Sequence, residues 1–248
     1  MSSAFHPCLV IPCYNHAEIL AKIIDQLESY NLPIIIVDDG GSANDAEILN
    51  ALTHNYKDRY LVTLSKNCGK GGAVIEGFKI AYAQGFTHVL QIDADGQHAM
   101  EDIPKFLELS LQNPEALISG APIYDESVPK SRLYSRYITH FWVWIETLSF
   151  SIIDSMCGFR IYPLKETIGL INQGKIGHYM DFDIEVMVRL YWRNVPVLFI
   201  KTQVNYPESG VSNFRAIQDN VRISWMHTRL FFGMLVRSPI LIWRKCVK

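Results

Sequence analysis

The chain has no C-x-x-C pair, and its five cysteines, Cys8, Cys13, Cys68, Cys157 and Cys246, are an odd number. That speaks against a disulfide-stapled scaffold or a zinc knuckle and fits a reducing compartment. It also lacks any uninterrupted apolar run of the roughly 18–20 residues needed to span a bilayer. The nearest stretch, residues 230–243, is broken by Arg237 and Pro239. The first six residues carry no basic region and no apolar core of a secretory signal, so the expected location is the cytoplasm. Nor is there an excess of one charge. A formal charge of −2 creates no basic field, which argues against nucleic acid as a partner. Disorder is excluded by 49% hydrophobic against 19% charged residues.

What is present is an alternation of short apolar runs and helical patterns. Residues 8–11, 33–37, 60–64 and 88–92 are apolar or β-branched and bounded by turn residues, as buried strands are. Between them lie helical patterns. The first is capped by Asn15 with Glu18 as its capping-box partner, and the next two cover residues 45–54 and 72–84. This order implies right-handed crossovers and a mostly parallel, Rossmann-like α/β sheet flanked by helices. Further on, helices are expected over residues 103–111, 131–153, 181–193 and 214–236, and strands over residues 117–119 and 197–200. No repeat or linker divides the chain. The expected organisation is one domain over residues 1–213 and an amphipathic helical extension over residues 214–248.

Ligands of such sheets bind beyond the carboxyl ends of the strands, and four of those ends are polar. After the fourth strand stand Asp93, Asp95, Gly96 and Gln97. Two carboxylates two residues apart share a face of an extended segment. Hard oxygen donors there suit Mg²⁺ or Mn²⁺, with Gln97 as a neutral third donor. The alternative is a pair of solvated turn aspartates. After the second strand, Asp38 and Asp39 suit either a nucleoside contact or an Asx-turn, with Ser42 or Asn44 capping the next helix. Gly69-Lys70-Gly71-Gly72 precedes a helix, where glycines, a lysine and a helix N-terminus favour phosphate. A plain loop-to-helix junction reads equally well.

The four segments Pro12-Cys13-Tyr14-Asn15, Val37-Asp38-Asp39-Gly40-Gly41-Ser42, Asn67-Cys68-Gly69-Lys70-Gly71 and Asp93-Ala94-Asp95-Gly96-Gln97 together resemble family-2 glycosyltransferases of the GT-A fold. Met156-Cys157-Gly158-Phe159-Arg160, Phe182-Asp183-Ile184-Glu185 and Gly210-Val211-Ser212 are similar to segments of the dolichol-phosphate mannosyltransferase branch. The resemblance implies an inverting, metal-dependent transfer of a sugar from a UDP- or GDP-linked donor to a lipid-linked acceptor, a polyprenyl phosphate. It implies Pro12, Tyr14, Asn15, Asp39, Lys70 and Asp93 around the donor nucleotide. Asp93, Asp95 and Gln97 would hold Mg²⁺ or Mn²⁺, and Asp95, Asp183 and Arg160 would act in catalysis. Arg132, Arg136 and Arg160 are the expected acceptor-phosphate contacts, since guanidinium matches phosphate in fork geometry. With a hydroxyl acceptor, Asp183 would be the base, with Asp181 in reserve. The chain departs from the family pattern at His16, where Glu is usual, at the additional Gly41, and at Asn213, where a basic residue is common.

Arg215, Arg222 and Arg229 recur every seventh residue beside an apolar row of Ile217, Val221 and Trp225. That pattern suits a helix lying on an anionic membrane surface, so peripheral contact with the inner face of a membrane is expected. Two other readings compete. One is a phosphohydrolase using Asp93-Ala94-Asp95-Gly96 as its nucleophile loop, and the other is a non-catalytic nucleotide-sugar-binding protein.

Overall fold

The computed structural model describes residues 4–123, 130–204 and 215–247, with side chains described outside residues 130–135. Its centre is a seven-stranded sheet. The strands in chain order are β1 (Pro7–Cys13), β2 (Ile34–Asp38), β3 (Arg59–Thr63), β4 (His88–Gln91), β5 (Leu117–Ile123), β6 (Arg160–Pro163) and β7 (Val197–Gln203). They lie side by side as β3-β2-β1-β4-β6-β5-β7. All pairings are parallel except those of β6, which runs antiparallel to both β4 and β5. The order reverses between β1 and β4, and the crevice beyond their carboxyl ends is where an open α/β sheet accepts a ligand.

Eight helices connect and cover the sheet: α1 (Ala17–Glu28), α2 (Ala43–Thr53), α3 (Lys70–Ala83), α4 (Ile103–Gln112), α5 (Lys130–Thr147), α6 (Leu164–Ile171), α7 (Phe182–Trp192) and α8 (Ala216–Cys246). Strand residues alternate between two cores, as a period of two requires. Cys8 and Val10 of β1 join Phe78 of α3 and Phe182 of α7 on one face. Leu9 and Ile11 join Leu20 of α1 and Phe106 of α4 on the other. The fold is thus α/β of the GT-A type, as expected. The strand β6 and helix α6 were not anticipated, because residues 156–171 carry neither a clear alternation nor a long helical period.

Three local expectations are corrected. The cap of α1 is His16 and not Asn15, and it makes no side-chain cap. Asn15 sits at φ 56°, and its side-chain oxygen instead accepts the Ser42 amide at 3.2 Å. The Ala17 amide donates to Asp45 of α2 at 2.9 Å, so a tertiary contact replaces the capping box. Helix α5 stops at Thr147, where Leu148 turns at φ 51°, although the apolar run continues. Helix α8 does not stop before Pro239 but runs to Cys246. A proline there removes the amide that would bond to the Leu235 carbonyl. The Ser238 hydroxyl donates to that carbonyl instead, at 2.9 Å.

Met226, Leu230, Met234 and Leu241 of α8 are buried in the same core as β1 and α3. Of the heptad-spaced arginines, Arg222 and Arg229 point back to the protein and Arg215 stays exposed. Arg222 bonds Asp219 at 2.9 Å and stacks on the Tyr179 ring, while Arg229 forks onto Glu185 of α7 at 3.1 and 3.3 Å.

Helix α3 lies flush on β1 and β2 because residue 77 is glycine. A Cβ there would stand 2.5 Å from Val10 Cγ1 and 3.1 Å from Val37 Cγ2. Overpacking of this kind costs about 1–3 kcal/mol. Gly77→Ala is therefore expected to lower the unfolding free energy by that amount in urea titration; unchanged stability would contradict the packing described.

Candidate active site

Four strand tips converge on the crevice. Asp39 follows β2 and is buried, and its Oδ1 accepts the Cys68 amide at 2.6 Å while its own amide donates to the Cys13 carbonyl. Burial pushes its carboxyl above the ordinary range, against the lowering effect of the Cys68 and Gly69 amides. Asp38 Oδ1 accepts the Gly41 amide at 2.9 Å, so this aspartate closes the Asx-turn. Ser42 caps α2 by accepting the Asp45 amide. Pro12 is buried within β1, and Tyr14 is half-buried just past its end.

Beyond β4 the charged centre begins. The Lys70 ammonium, at the first turn of α3, is 2.8 Å from Asp93 Oδ2 and 2.9 Å from Asp183 Oδ2. Asp183 belongs to the first turn of α7. Its other oxygen accepts from Gln91 Nε2 of β4 at 3.2 Å. Burial works against the Lys70 charge, but Asp183 and Asp93 outweigh it and hold the ammonium pKa above its usual value. Burial likewise opposes the Asp93 charge, and Lys70 and His98 hold its carboxyl below the usual range. Gly158 packs against the pair: a Cβ there would lie 2.7 Å from both Asp93 Oδ2 and Lys70 Nζ. A side chain at 158 would therefore pry the ion pair apart.

The glycine turn before α3 has a different purpose from the expected one. A Cβ on Gly69 would meet the His178 carbonyl and the Tyr179 ring at 2.5 Å, and one on Gly71 would overlap Phe182 Cβ. The Gly72 amide donates to the His178 carbonyl at 2.9 Å. The glycines thus admit residues 177–182 rather than leaving bare backbone for a phosphate. That crossing segment is itself held from α7 and α8. Gly177 donates to Glu185 Oε2, Tyr179 donates to Asp181 Oδ1, and Arg222 stacks on Tyr179 with its guanidinium carbon 3.6 Å from the ring centroid. Asp181 is a structural residue in this arrangement.

Arg160 also differs from expectation. It opens β6, is fully buried, and donates to Ser119 Oγ, to the Ser155 and Asp183 carbonyls, and to Tyr162 Oη. Its guanidinium fixes the first turn of α7 from behind and faces no ligand crevice. Arg136 of α5 is placed otherwise. It pairs with Asp154 at 2.5 Å, and Asp154 in turn accepts the Met156 and Cys157 amides. A cavity of about 360 Å³ opens there, lined by the carboxyl end of β5 (Ala121, Pro122, Ile123) and by Arg136, Tyr137, His140, Ile153, Asp154 and Lys201. The Arg132 side chain and residues 210–213 lie outside the described regions.

Asp95 accepts the Gln97 amide at 3.0 Å, closing a turn at Gly96. Among the described residues no three His, Cys, Asp or Glu side chains converge as a ready cation cage. Asp93 Oδ1 is nevertheless buried without a partner. That leaves a carboxylate oxygen available for an ion shared with a substrate, as Mg²⁺ is commonly held by one or two carboxylates plus phosphates. Residues to which sequence reasoning gave no role of their own are Gln91, Gly158, His178 and Tyr179. Gln91 is the most legible of them, being a lone amide inside an apolar strand.

A doubly wound sheet with polar strand tips, a buried lysine and two carboxylates beside its switch point is the arrangement of a GT-A fold. The model of the family described as Glycosyl transferase family 2 matches residues 8–168, well over half of the chain. The chain belongs to that family and is a nucleotide-sugar-dependent glycosyltransferase. That sets aside the phosphohydrolase reading and the non-catalytic one. Over 225 residues it is 28% identical to the human dolichyl-phosphate beta-glucosyltransferase, covering 81% of this chain and 67% of that one. It is 25% identical over 232 residues to the polyprenol monophosphomannose synthase of Mycolicibacterium smegmatis, covering 84% and 82%. Among solved structures, glucosyl-3-phosphoglycerate synthase from Mycobacterium tuberculosis, in complex with Mn²⁺, UDP-glucose and phosphoglyceric acid, shares the fold. The TM-score is 0.66 at 12% identity, covering 94% of this chain and 79% of that one.

Removing the Arg160 guanidinium takes a donor from two buried carbonyls and two buried hydroxyls, at about 1–3 kcal/mol for each group left unsatisfied. Arg160→Met is therefore expected to lose on the order of 3–5 kcal/mol of stability, as when one member of a buried charged network is removed. Denaturant unfolding reads this directly. Full stability with only acceptor affinity lost would show the residue to be a ligand contact instead.

Proposed function

We propose that this glycosyltransferase inverts the anomeric centre of a UDP- or GDP-linked sugar while transferring it to the phosphate of a polyprenyl phosphate. The observation carrying this reading is the arrangement at the sheet's carboxyl edge. The Lys70–Asp93–Asp183 cluster stands beside β4, and the Arg136- and Lys201-lined cavity stands beyond β5. One segment, residues 154–158, serves both, with Asp154 at the cavity and Gly158 against Lys70.

In the reaction the bond from the anomeric carbon to the diphosphate oxygen breaks, and the nucleoside diphosphate leaves with the electron pair. An acceptor phosphate oxygen forms the new bond from the opposite face. That oxygen is already anionic, so no proton has to be removed. The main electrostatic demand is the charge growing on the leaving diphosphate. Lys70 meets it from the α3 terminus, released from one of its two carboxylates as the diphosphate arrives. Pro12, Tyr14, Asn15 and Asp39 border the nucleoside. A Mg²⁺ or Mn²⁺ ion bound to Asp93 and Asp95, with Gln97 near, would supply further Lewis-acid stabilisation of the diphosphate. Asp183 serves as a positioning residue: one oxygen holds Lys70 and the other the Gln91 amide, and this engagement favours a phosphate acceptor over a hydroxyl one needing a base. Arg136, with Arg132, draws the acceptor phosphate, and Arg160 acts by holding Asp183.

A lipid acceptor calls for access from a membrane surface. No helix among the described residues is long and apolar enough to cross a membrane. Exposed apolar side chains on α5 (Tyr137, Ile138, Phe141) and α8 (Ile217, Trp225, Phe232, Trp243) support peripheral contact through those helices. Residues 214–248 then form the extension that makes this contact while remaining packed on the domain.

Transfer of labelled sugar from UDP- and GDP-sugars to a short polyprenyl phosphate with Mn²⁺ tests the reading. Lys70→Met and Asp93→Asn are expected to lower kcat by about 10²–10³-fold, as for loss of one group stabilising a developing charge. Arg136→Gln is expected to raise the acceptor KM about tenfold, the worth of a charged hydrogen bond, with donor affinity unchanged. Transfer to a hydroxyl acceptor but to no polyprenyl phosphate would overturn it.

A further inference from the structure

A second basic cleft lies at the far end of α7. Arg189, Trp192 and Arg193 from that helix, Leu170 and Gln173 from the α6 end, and Arg237 from α8 enclose about 90 Å³. Asp183 and Arg193 are ten residues apart on α7, about 15 Å at the helical rise, so the cleft is separate from the donor site.

No carboxylate lines it. Arg193 is fixed by the Glu166 and Gly169 carbonyls and by Gln173, so it is anchored by neutral acceptors. Arg237 lies 4.7 Å over the Trp192 ring and bonds only its own helix, at the Gly233 carbonyl. Arg244, one heptad further, donates to the Trp192 carbonyl at 2.9 Å. The acidic side chain that pairs with a cleft arginine is Glu185, which Arg189 shares with Arg229, while Glu166 and Glu146 adjoin the cleft through main-chain carbonyls that accept from Arg193 and from the Trp192 indole. Four guanidiniums therefore gather around Trp192, and among the described residues Arg189 is the one of the four that pairs with a carboxylate. Their positions are set by main-chain carbonyls, which fix geometry without cancelling charge. Each guanidinium has five donors, and Arg237 uses one of them. Such an excess of directed N–H groups around a small cleft matches the oxygens of a phosphate. The exposed apolar residues Leu235, Val236, Ile240 and Trp243 adjoin Arg237 and Arg244 on α8. A phosphate held here would sit beside a surface suited to acyl chains.

We propose that this arginine cleft is a phosphate-binding site distinct from the donor and acceptor sites, fitted to the headgroup of an anionic lipid. It does not depend on the sugar-transfer reading, and its test uses no catalytic readout. The full chain is floated with vesicles of phosphatidylcholine, with and without phosphatidic acid. Arg237→Gln is compared with Arg215→Gln, a control at the N-cap of the same helix whose guanidinium bonds Gln218. Arg237→Gln removes an own-helix bond and the stacking on Trp192, Arg215→Gln an exposed bond, and thermal unfolding verifies that each variant is folded.

The native chain is expected to prefer the phosphatidic acid vesicles. Arg237→Gln should lose about fivefold of that preference, the worth of one arginine at an anionic surface, and Arg215→Gln distinctly less. A parallel arm titrates inorganic phosphate into native and Arg237→Gln protein by calorimetry. Binding that the variant lacks would support the site and identify its ligand as the free anion when vesicle preference is absent. Equal losses for the two variants on vesicles, with no phosphate binding dependent on Arg237, would overturn the proposal.

Discussion

The ammonium of Lys70 between the carboxylates of Asp93 and Asp183 is the contact on which the rest of the site depends. It ties the start of α3, the exit of β4 and the start of α7 to one point. Two carboxylates against one cation leave a residual negative charge. The desolvation of such a group is offset only if every member is well bonded. Gln91 and the backing of Arg160 supply part of that bonding and His98 stands 3.5 Å from Asp93 Oδ2, while Asp93 Oδ1 keeps no partner among the described residues. Gly158 then explains itself: the chain passes so close to the pair that only a residue without Cβ fits.

The same economy of space governs the approach from α8. Its Arg222 and Arg229 reach inward, to Tyr179 and Glu185, and those two residues hold the segment that crosses the glycine turn of α3. A helix whose outer face is apolar is thereby in mechanical contact with the turn that presents Lys70. Two side-chain contacts and one crossing loop thus link α8 to that turn.

Much of this was legible in the sequence. The first four strands, the three helices between them and the polar strand tips follow from period and turn residues, because β1 to β4 are built from local βα units. The pairing of Asp93 with a cation was not legible as such. Asp93 and Lys70 were read separately, as metal ligand and phosphate contact, since nothing in linear spacing says that a strand tip and a helix start face one another. Arg160 was misread for a similar reason: phosphate-seeking and core-anchoring guanidiniums look alike until burial is known. The helix through Pro239 defeated the usual stop signal because the preceding serine supplies the missing donor. The inward turn of Arg222 and Arg229 was hidden because a seven-residue period marks a face without saying which way it looks.

The insertion of β6 between β4 and β5 has a consequence for biosynthesis. The sheet cannot be closed from β4 to β5 until residues after 160 have left the ribosome, and the second carboxylate on Lys70 arrives only with residue 183. A nascent chain that has released only β1 to β4 has one of the two carboxylate partners of Lys70 and no strand yet to cover the β4 edge. Competence for chemistry is thus acquired late in translation, together with the covering of the edge on which two unfinished chains would otherwise join.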